Sequence, residues 1–546
     1  MSAIPPASDK GPSHALVVAP GDPVGHALSI ARARLDDADA RVALWTKEGA
    51  LELLDLADDA VVAREPLAIA RALAPSAVPN APALERWVAA VTALIDGAHA
   101  MGHETDQGRY EQAFGEWRAE LEGLERHLSG QRFLVGPEPT FADWLLFAFA
   151  CRLDGVYATL FKAHAFLLED LPALHAFARD LYEDPAVYAA TDWAAVLEPP
   201  FRAHEVANPR ALIPRGGRPA LHAPHDRHRM IAASGTDRAT EEDPNGARVK
   251  GEFLRGQSKF RSAVGEGDFP AEAGRYHLFA PYNCPWSHRA LLGRAVKGLE
   301  RVVGATVVYF RRDPDGGWQT NPAIPGCDPD PIGGHRFVTA YYEAEGSTEK
   351  SVPILYDSVA KRIVNNESAE ILRIFDGPLG DLGMRSVELY PEAHREAIDR
   401  INETVYERIN NGAYKAGFAK TQAAYDRAYG RYFAALDWVD GLLRDREWLA
   451  GTDAPTEADL RLFPTVFRHD AIYWARFRLN GARIRDYPAL ARWLERILAF
   501  PGVAEASNLD HARNGYFGRN GTEIVPAGPE PLTLSPKDFP REVWVP

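Results

Sequence analysis

The sequence predicts a tandem duplication of a module that is α/β in its first part and all-α in its second. Three observations lead there. At 546 residues the chain is too long for one hydrophobic core. An ordered series of matches links its two halves, a repeat with a period of about half the chain. In each half the apolar pattern runs strand, helix, strand and then becomes helical throughout.

The matches begin near the N-terminus. VAPGDPVGHAL at 18–28 parallels FAPYNCPWSHRA at 279–290 with one deletion, each after an apolar run (14–18, 276–279) and ahead of a helical pattern. RVALWT at 41–46 and ATVVYF at 305–310 supply the second strand of a βαβ unit. Asp55 then falls on Asp357, Val62 on Val364, Glu65 on Glu367, Ile69 on Ile371 and Arg71 on Arg373 without a gap. Further on, DGAHAMG (96–102) falls on NGAYKAG (411–417) and Tyr110 on Tyr425. TFAD (140–143) then falls on TEAD (456–459), VYATLFK (156–162) on IYWARFR (472–478), and LPAL (171–174) on YPAL (487–490). Chance gives one such match, not an ordered series. Thr140 and Thr456, each with an acid three residues on, mark helix N-termini. Tyr425, Tyr429, Tyr432, Leu436 and Val439 recur at helical spacing and read as core. The boundaries that follow are a βαβ-type domain at 14–78, a helical domain at 84–198, a linker at 199–248, a second βαβ-type domain at 249–380, a second helical domain at 390–512, and a tail at 513–546.

Composition narrows the function. A net charge of −15 argues against nucleic-acid and anionic-membrane partners, whose usual footprint is basic. No run approaches the ~20 apolar residues that span a bilayer, and the N-terminus has no charged segment followed by an apolar one. Three cysteines cannot build a disulfide framework, so a reducing cytoplasm is the expected location. The linker holds His222, His225 and His228, read as solvated rather than metal-binding because no cysteine or helical frame accompanies them. Asp313, Asp328 and Asp330 read as loop acids without ligand spacing. No metal is expected.

Cys284 is the candidate for chemistry. It follows an apolar strand and precedes a helix beginning near Pro285, a favourable first helical residue because its missing N–H would have been unpaired. A sulfur there faces unpaired N–H groups and the positive end of the helix dipole. Both favour the thiolate, the form that attacks. Arg289 could assist, or could equally point to solvent. Ser287, not a cysteine, stands three residues on, so the site is monothiol and its covalent partner is an external thiol. The residue alone would read as a buried, inert cysteine, as Cys151 and Cys327 do; its strand–Cys-Pro–helix setting reverses that reading.

Two further features suit a peptide-like ligand. Pro353 opens the strand ILYD, and a cis bond there would leave the Val352 backbone free to pair with a ligand. Glu367 and Ser368 open an amphipathic helix, where N–H groups attract a carboxylate and Glu367 can take an ammonium. Simple capping by Ser368 is the alternative.

NCPWSHR, VPILYD, IVNNESAEI, INNGAYKAGFAKTQAAYD and DYPAL, with GEFLRG and FPAEAGRYHL ahead of the cysteine, span 249–525. Together they resemble the xi class of glutathione transferases, the glutathionyl-hydroquinone reductases, built as a thioredoxin-like domain followed by a helical one. The resemblance implies that Cys284 attacks the sulfur of a glutathionyl-hydroquinone, expels the hydroquinone and is resolved from its mixed disulfide by a second glutathione. It implies a glutathione site made of Trp318, Val352, Pro353, Glu367 and Ser368, with Val352 on the cysteinyl part and Glu367–Ser368 on the γ-glutamyl group. It also implies Tyr414 beside the aromatic substrate, with Tyr473 and Tyr516 on the same wall. The chain departs from the family's pattern at Tyr282-Asn283 and Ser287, and reads Phe-Arg-Leu-Asn from Phe477 where the family commonly reads Phe-Lys-Cys-Asn. Thioltransferase, reductive dehalogenase and β-etherase activities are alternatives within enzymes, and a non-catalytic scaffold is one outside them.

The first copy has lost these residues. Cys284 has no counterpart, the aligned stretch being Gly21-Asp22-Pro23. Pro353 becomes Leu51, Glu367–Ser368 becomes Glu65–Pro66, Tyr414 becomes His99, and the segment holding Trp318 is missing. No thiol catalysis is expected there. An architectural role follows, as an intrachain pseudo-dimer partner, with homodimerisation the other arrangement.

Overall fold

The computed structural model describes residues 14–18, 22–33, 42–46, 52–55, 60–63, 66–73, 82–136, 138–205, 207–222, 258–265, 267–308, 317–323, 326–517 and 524–526. The chain forms two compact units, Met1–Ala247 and Arg248–Pro546.

The first unit opens with β1 (His14–Val18), α1 (Pro23–Ala33), β2 (Val42–Thr46), β3 (Glu52–Asp55), β4 (Ala60–Ala63) and α2 (Pro66–Leu73). The sheet order is β2-β1-β3-β4; β1 pairs parallel with β2 and antiparallel with β3. A right-handed crossover helix is the usual way to join such parallel strands. Helices α3 (Pro82–His103), α4 (Gln107–Gly130), α5 (Phe141–Arg152), α6 (Pro172–Tyr182), α7 (Pro185–Ala190) and α8 (Trp193–Ala203) complete the unit. All twelve residues of α5, FADWLLFAFACR, are buried, as expected for a helix apolar on every side.

The second unit repeats this plan. It comprises β5 (Tyr276–Ala280), α9 (Pro285–Val296), β6 (Val303–Val307), α10 (Thr339–Ala344), β7 (Ile354–Asp357), β8 (Arg362–Asn365) and α11 (Ser368–Asp376). Helices α12 (Arg395–Thr404), α13 (Asn411–Gly417), α14 (Gln422–Leu443), α15 (Glu457–Arg468), α16 (Trp474–Arg476), α17 (Pro488–Leu498) and α18 (Leu509–Phe517) follow. Its sheet order is β6-β5-β7-β8, with the same parallel and antiparallel pairings. The register break between Leu53 and Leu54 recurs between Leu355 and Tyr356.

The repetition reaches single hydrogen bonds. Asp143 Oδ2 accepts the Thr140 N–H at 2.8 Å, and Asp459 Oδ2 accepts the Thr456 N–H at 2.9 Å. Their other oxygens take the N–H groups of Leu134 and Leu449, tying each helix start to the preceding turn. A π-turn follows the central helix in each unit, Leu153–Tyr157 and His469–Tyr473. Beyond it Lys162 (φ 63°) and Arg478 (φ 57°) adopt the left-handed conformation, and their carbonyls accept hydrogen bonds from Tyr110 and Tyr425. A non-glycine residue in that region is uncommon, so its recurrence in register marks common descent.

Two expected boundaries move. Helix α8 runs through Pro199 and Pro200 to Ala203, into the stretch read as linker. Proline's φ is helical, and burial of Val196, Leu197 and Phe201 carries the helix past the two residues that look like breakers. Likewise α18 extends into the stretch read as tail, because its contacts are with distant loops rather than with neighbours in sequence. His222 lies against the Tyr182 ring (centroids 5.1 Å apart), while His225, His228 and Asp313 fall outside the described residues. Asp328 accepts the N–H of Val307 at the end of β6, and Asp330 accepts those of Ile332 and His335 in its own loop. Among the described residues no group of three or more His, Cys, Asp or Glu side chains is placed to hold a metal ion, and no helix is long and apolar enough to cross a membrane.

Candidate active site

β5 delivers the chain to Cys284, which is the N-cap of α9 with extended backbone angles (φ −88°, ψ 118°). Its carbonyl accepts the His288 N–H at 2.8 Å, closing the first turn. Its sulfur caps nothing in its own helix and instead lies 3.9 Å from the Val352 carbonyl oxygen. The thiol is half-buried, packed on a cluster that includes Phe279, Trp318, Tyr342 and Val352. Trp318 is buried and hydrogen-bonded through its carbonyl to the Val338 N–H at 2.9 Å. The Val352–Pro353 peptide is cis. The Val352 N–H has no partner among the described residues. Cys284, Trp318, Val352 and Pro353 thus come together.

Glu367 and Ser368 stand at the start of α11. Glu367, not Ser368, is the N-cap: its Oε1 accepts the Ala369 N–H at 3.2 Å, and its Oε2 takes a hydrogen bond from Ser258 Oγ at 3.1 Å. The capping alternative for Ser368 is therefore corrected by one residue. Ser368 is the first helical residue, and its buried hydroxyl accepts from Arg289 Nη1 at 3.2 Å. Arg289 neither points to solvent nor reaches the sulfur; it is 1% exposed and runs behind α9 to Ser368 and to Asn410 Oδ1 (3.0 Å). Burial lowers its pKa to about 9, so the guanidinium stays cationic at neutral pH.

The three tyrosines form one hydrogen-bonded group. Tyr414 on α13 bonds hydroxyl to hydroxyl with Tyr516 on α18, which bonds Tyr473 at 3.2 Å. Burial raises Tyr473 and Tyr516 well above the usual phenol range, keeping their protons at neutral pH. Phe477 stacks on Tyr473 with centroids 4.8 Å apart. Trp286, two residues after the cysteine, faces the Tyr414 ring at 6.5 Å and links this aromatic wall to the start of α9.

Sequence reasoning missed the struts that hold the cysteine loop. Arg468, fully buried, donates to Tyr282 O and to His288 Nδ1 (3.0 Å). His288 Nε2 meets Ser507 Oγ at 3.0 Å. Burial first, and then Arg468, hold His288 well below its ordinary pKa, so it is neutral. The first unit contains the same strut as Arg152, His26 and Thr191, with contacts of 3.2 Å each. The signal was present in the aligned stretches, where a histidine follows four residues after Asp22 and after Cys284. A second missed feature is α18, whose Gly515 packs on Asn283 and whose His511 meets the Tyr282 ring edge-on at 5.7 Å.

Asp22 now has a place. Its carboxylate accepts the N–H groups of Val24 (3.1 Å) and Gly25 (3.0 Å), and its carbonyl accepts that of His26. It occupies the N-cap position that Cys284 holds, so the cysteine is replaced by an acid rather than left without a counterpart; a gap in the aligned loops hid this. His99, where the second unit has Tyr414, packs edge-on to Tyr157 at 6.0 Å. Glu65 and Leu51 lie outside the described residues. Of the remaining cysteines, Cys151 is fully buried with its thiol pushed up to about 12, and Cys327 is buried against His511 (3.7 Å).

A family model, the glutathione S-transferase C-terminal domain, matches at residues 107–180 and again at 422–496, once in each unit. The glutathionyl-hydroquinone reductase PcpF of Sphingobium chlorophenolicum is 45% identical over 292 residues, covering 52% of this chain and 91% of the relative. The chain belongs to the glutathione transferase family, in its glutathionyl-hydroquinone reductase branch. The reductase YqjG of Escherichia coli (strain K12) is 38% identical over 298 residues, covering 51% of this chain and 89% of that one. Among solved structures, the xi glutathione transferase of Phanerochaete chrysosporium is 38% identical, with a TM-score of 0.49 over 52% of this chain and 99% of that one. Each relative spans about half of this chain. The fold is a glutathione transferase fold written twice, the first copy without the cysteine.

Proposed function

We propose that this chain is a glutathione-dependent reductase that removes glutathione from S-glutathionyl-hydroquinones, with the chemistry in its second unit. The observation that carries the reading is Cys284 as the N-cap of α9, its sulfur turned toward the cis Val352–Pro353 turn rather than into its own helix. In the first step the Cys284 thiolate attacks the sulfur of the conjugate. A Cys284–glutathione disulfide forms as the carbon–sulfur bond breaks, and the aromatic carbon keeps the electron pair and takes a proton, leaving as hydroquinone. In the second step a glutathione thiolate attacks the disulfide, giving glutathione disulfide and regenerating the Cys284 thiolate.

Glutathione lies along β7 in this reading. The Val352 N–H and carbonyl pair with the cysteinyl residue, Pro353 shapes the turn and Trp318 backs it. The γ-glutamyl carboxylate meets the N–H and the hydroxyl of Ser368 at the start of α11, and Glu367 takes the ammonium. The aromatic ring lies against Tyr414, whose hydroxyl, supported by Tyr516 and Tyr473, hydrogen-bonds the quinol oxygen. The chemistry is placed in the cytoplasm in this reading.

The test is turnover of a glutathionyl-hydroquinone with glutathione by the full chain and by Cys284→Ser. Release of hydroquinone and glutathione disulfide by the wild type alone supports the reading. Turnover that survives Cys284→Ser would mean that the reaction does not pass through the Cys284 sulfur, and a wild type that does not bind glutathione would favour a scaffold.

A further inference from the structure

The two units serve as an internal control for every buried polar group around the site. The arginine–histidine–hydroxyl strut occurs in both, beside Cys284 in one and beside Asp22 in the other, so it belongs to the fold. The network around Arg289 behaves differently. In register, Arg289 corresponds to Ala27, Ser368 to Pro66, Asn410 to Ile95, Glu457 to Phe141, Arg461 to Leu145 and Thr465 to Phe149. Every polar member is apolar in the unit that lacks the cysteine. Ala27, Phe141, Leu145 and Phe149 are fully or almost fully buried there, so the fold closes without a cation at this place. Burying one carries a desolvation penalty that an apolar side chain avoids, so its presence beside Cys284 calls for a function.

The geometry says what the network holds. Asn410 Nδ2 donates to Thr465 Oγ1 (2.8 Å) and to the Arg461 carbonyl (3.1 Å), which fixes its Oδ1 toward Arg289 Nη2. With one arm of the guanidinium anchored, the other is aimed at the Ser368 hydroxyl. The planar fork also lies over the Trp286 ring, 4.8 Å from its centroid. Its Nε–H is buried with no partner among the described residues. Asn410 itself ends a π-turn, Val405–Asn410, where α3 of the first unit runs on as regular helix. Such turns are frequent at functional sites. A cation directly behind the first turn of α11 adds to the positive end of that helix. With its oxygen occupied by Nη1, the Ser368 hydroxyl donates over a long 3.5 Å to Glu367 Oε1, a proton that a closer ligand carboxylate can take.

We infer that Arg289 is a positioning residue of the glutathione site, acting through Ser368 to hold the γ-glutamyl carboxylate. This rests on the glutathione reading above, and a double-mutant cycle on the full chain separates the two. Binding of glutathione, and of cysteinylglycine, which has no γ-glutamyl carboxylate, is measured by calorimetry for wild type, Arg289→Met, Ser368→Ala and the double variant. Each single variant weakens glutathione binding roughly tenfold, the worth of one hydrogen bond to a charged group. Neither changes cysteinylglycine binding, and the double variant is no weaker than the singles. Wild-type affinity in Arg289→Met, losses that multiply, or equal losses for both ligands would overturn the inference. Should Arg289→Met fail to fold, Asn410→Ala frees the same fork without touching α9. It should repeat the pattern, and wild-type glutathione affinity in that variant would overturn the inference equally. A wild type that binds neither ligand would instead overturn the glutathione reading itself.

Discussion

Gly515→Ala tests whether α18 closes the site as described. A methyl group at Gly515 would sit 2.5 Å from Asn283 Nδ2, 2.7 Å from its Cγ and closer still to its Cβ. Carbon contacts settle near 3.5–4.0 Å, so helix and loop must part by about 1 Å. Asn283 is 3% exposed, and the obstruction is its stem rather than a mobile end, so it cannot swing aside. Overpacking of this kind costs about 1–3 kcal/mol. The displaced helix carries Tyr516, which holds Tyr414 and Tyr473 and whose carbonyl accepts from Arg476 Nε at 3.1 Å. Loosening one such hydrogen bond removes about 1 kcal/mol. The expected result is a lower melting temperature and a kcat/KM for glutathionyl-hydroquinone reduced roughly five- to tenfold, with glutathione binding unchanged. Gly430→Ala is the control: nothing lies within 4 Å of a methyl there, so stability should hold or rise slightly. Wild-type turnover and melting in Gly515→Ala, or a matching loss of glutathione binding, would refute the packing of α18 on the cysteine loop.

Two more outcomes follow from buried groups in the same unit. Burial lowers His277 to about 4 and His511 to about 3, so below pH 6.5 the unfolded chain takes up protons that the fold refuses. Stability is therefore lost as pH falls from 6.5 toward those values, by about 2 kcal/mol per histidine at pH 5. Thermal melts at pH 7 and pH 5 should show the decline, with a shallower slope in His511→Gln; parallel slopes would contradict it. Ser287 Oγ is fully buried without a partner among the described residues, so Ser287→Ala should gain about 1 kcal/mol of stability at unchanged turnover. A fall in turnover without a gain in melting temperature would show that the hydroxyl serves the sulfur.

The duplication was legible in the sequence because the retained identities are residues that both units use for the same bond. Asp143 and Asp459 tie a helix start to its turn, and Tyr110 and Tyr425 reach the corresponding left-handed residues Lys162 and Arg478. The strand–Cys-Pro–helix setting was legible because its physics is local. What escaped depends on contacts between distant segments. Helical spacing alone could not choose between solvent and the α11 side for Arg289, since the partners that settle it, Ser368 and Asn410, lie far along the chain. For the same reason the Arg468–His288 strut and the seating of α18 on Asn283 left no periodic trace. The cap at α11 was misplaced by one residue because serine is the better statistical N-cap, whereas here its hydroxyl is committed to a buried guanidinium.

The central claim is that the chemistry runs through the sulfur of Cys284 and through no other thiol of the chain. Intact-mass and peptide analysis of the full chain after the first step with glutathionyl-hydroquinone, quenched before free glutathione is added, tests it directly. One glutathionyl group on Cys284, with Cys151 and Cys327 unmodified, and loss of that group on adding glutathione, is the predicted result. Hydroquinone released with no glutathionyl group on Cys284, or with the group on either buried cysteine, would contradict it.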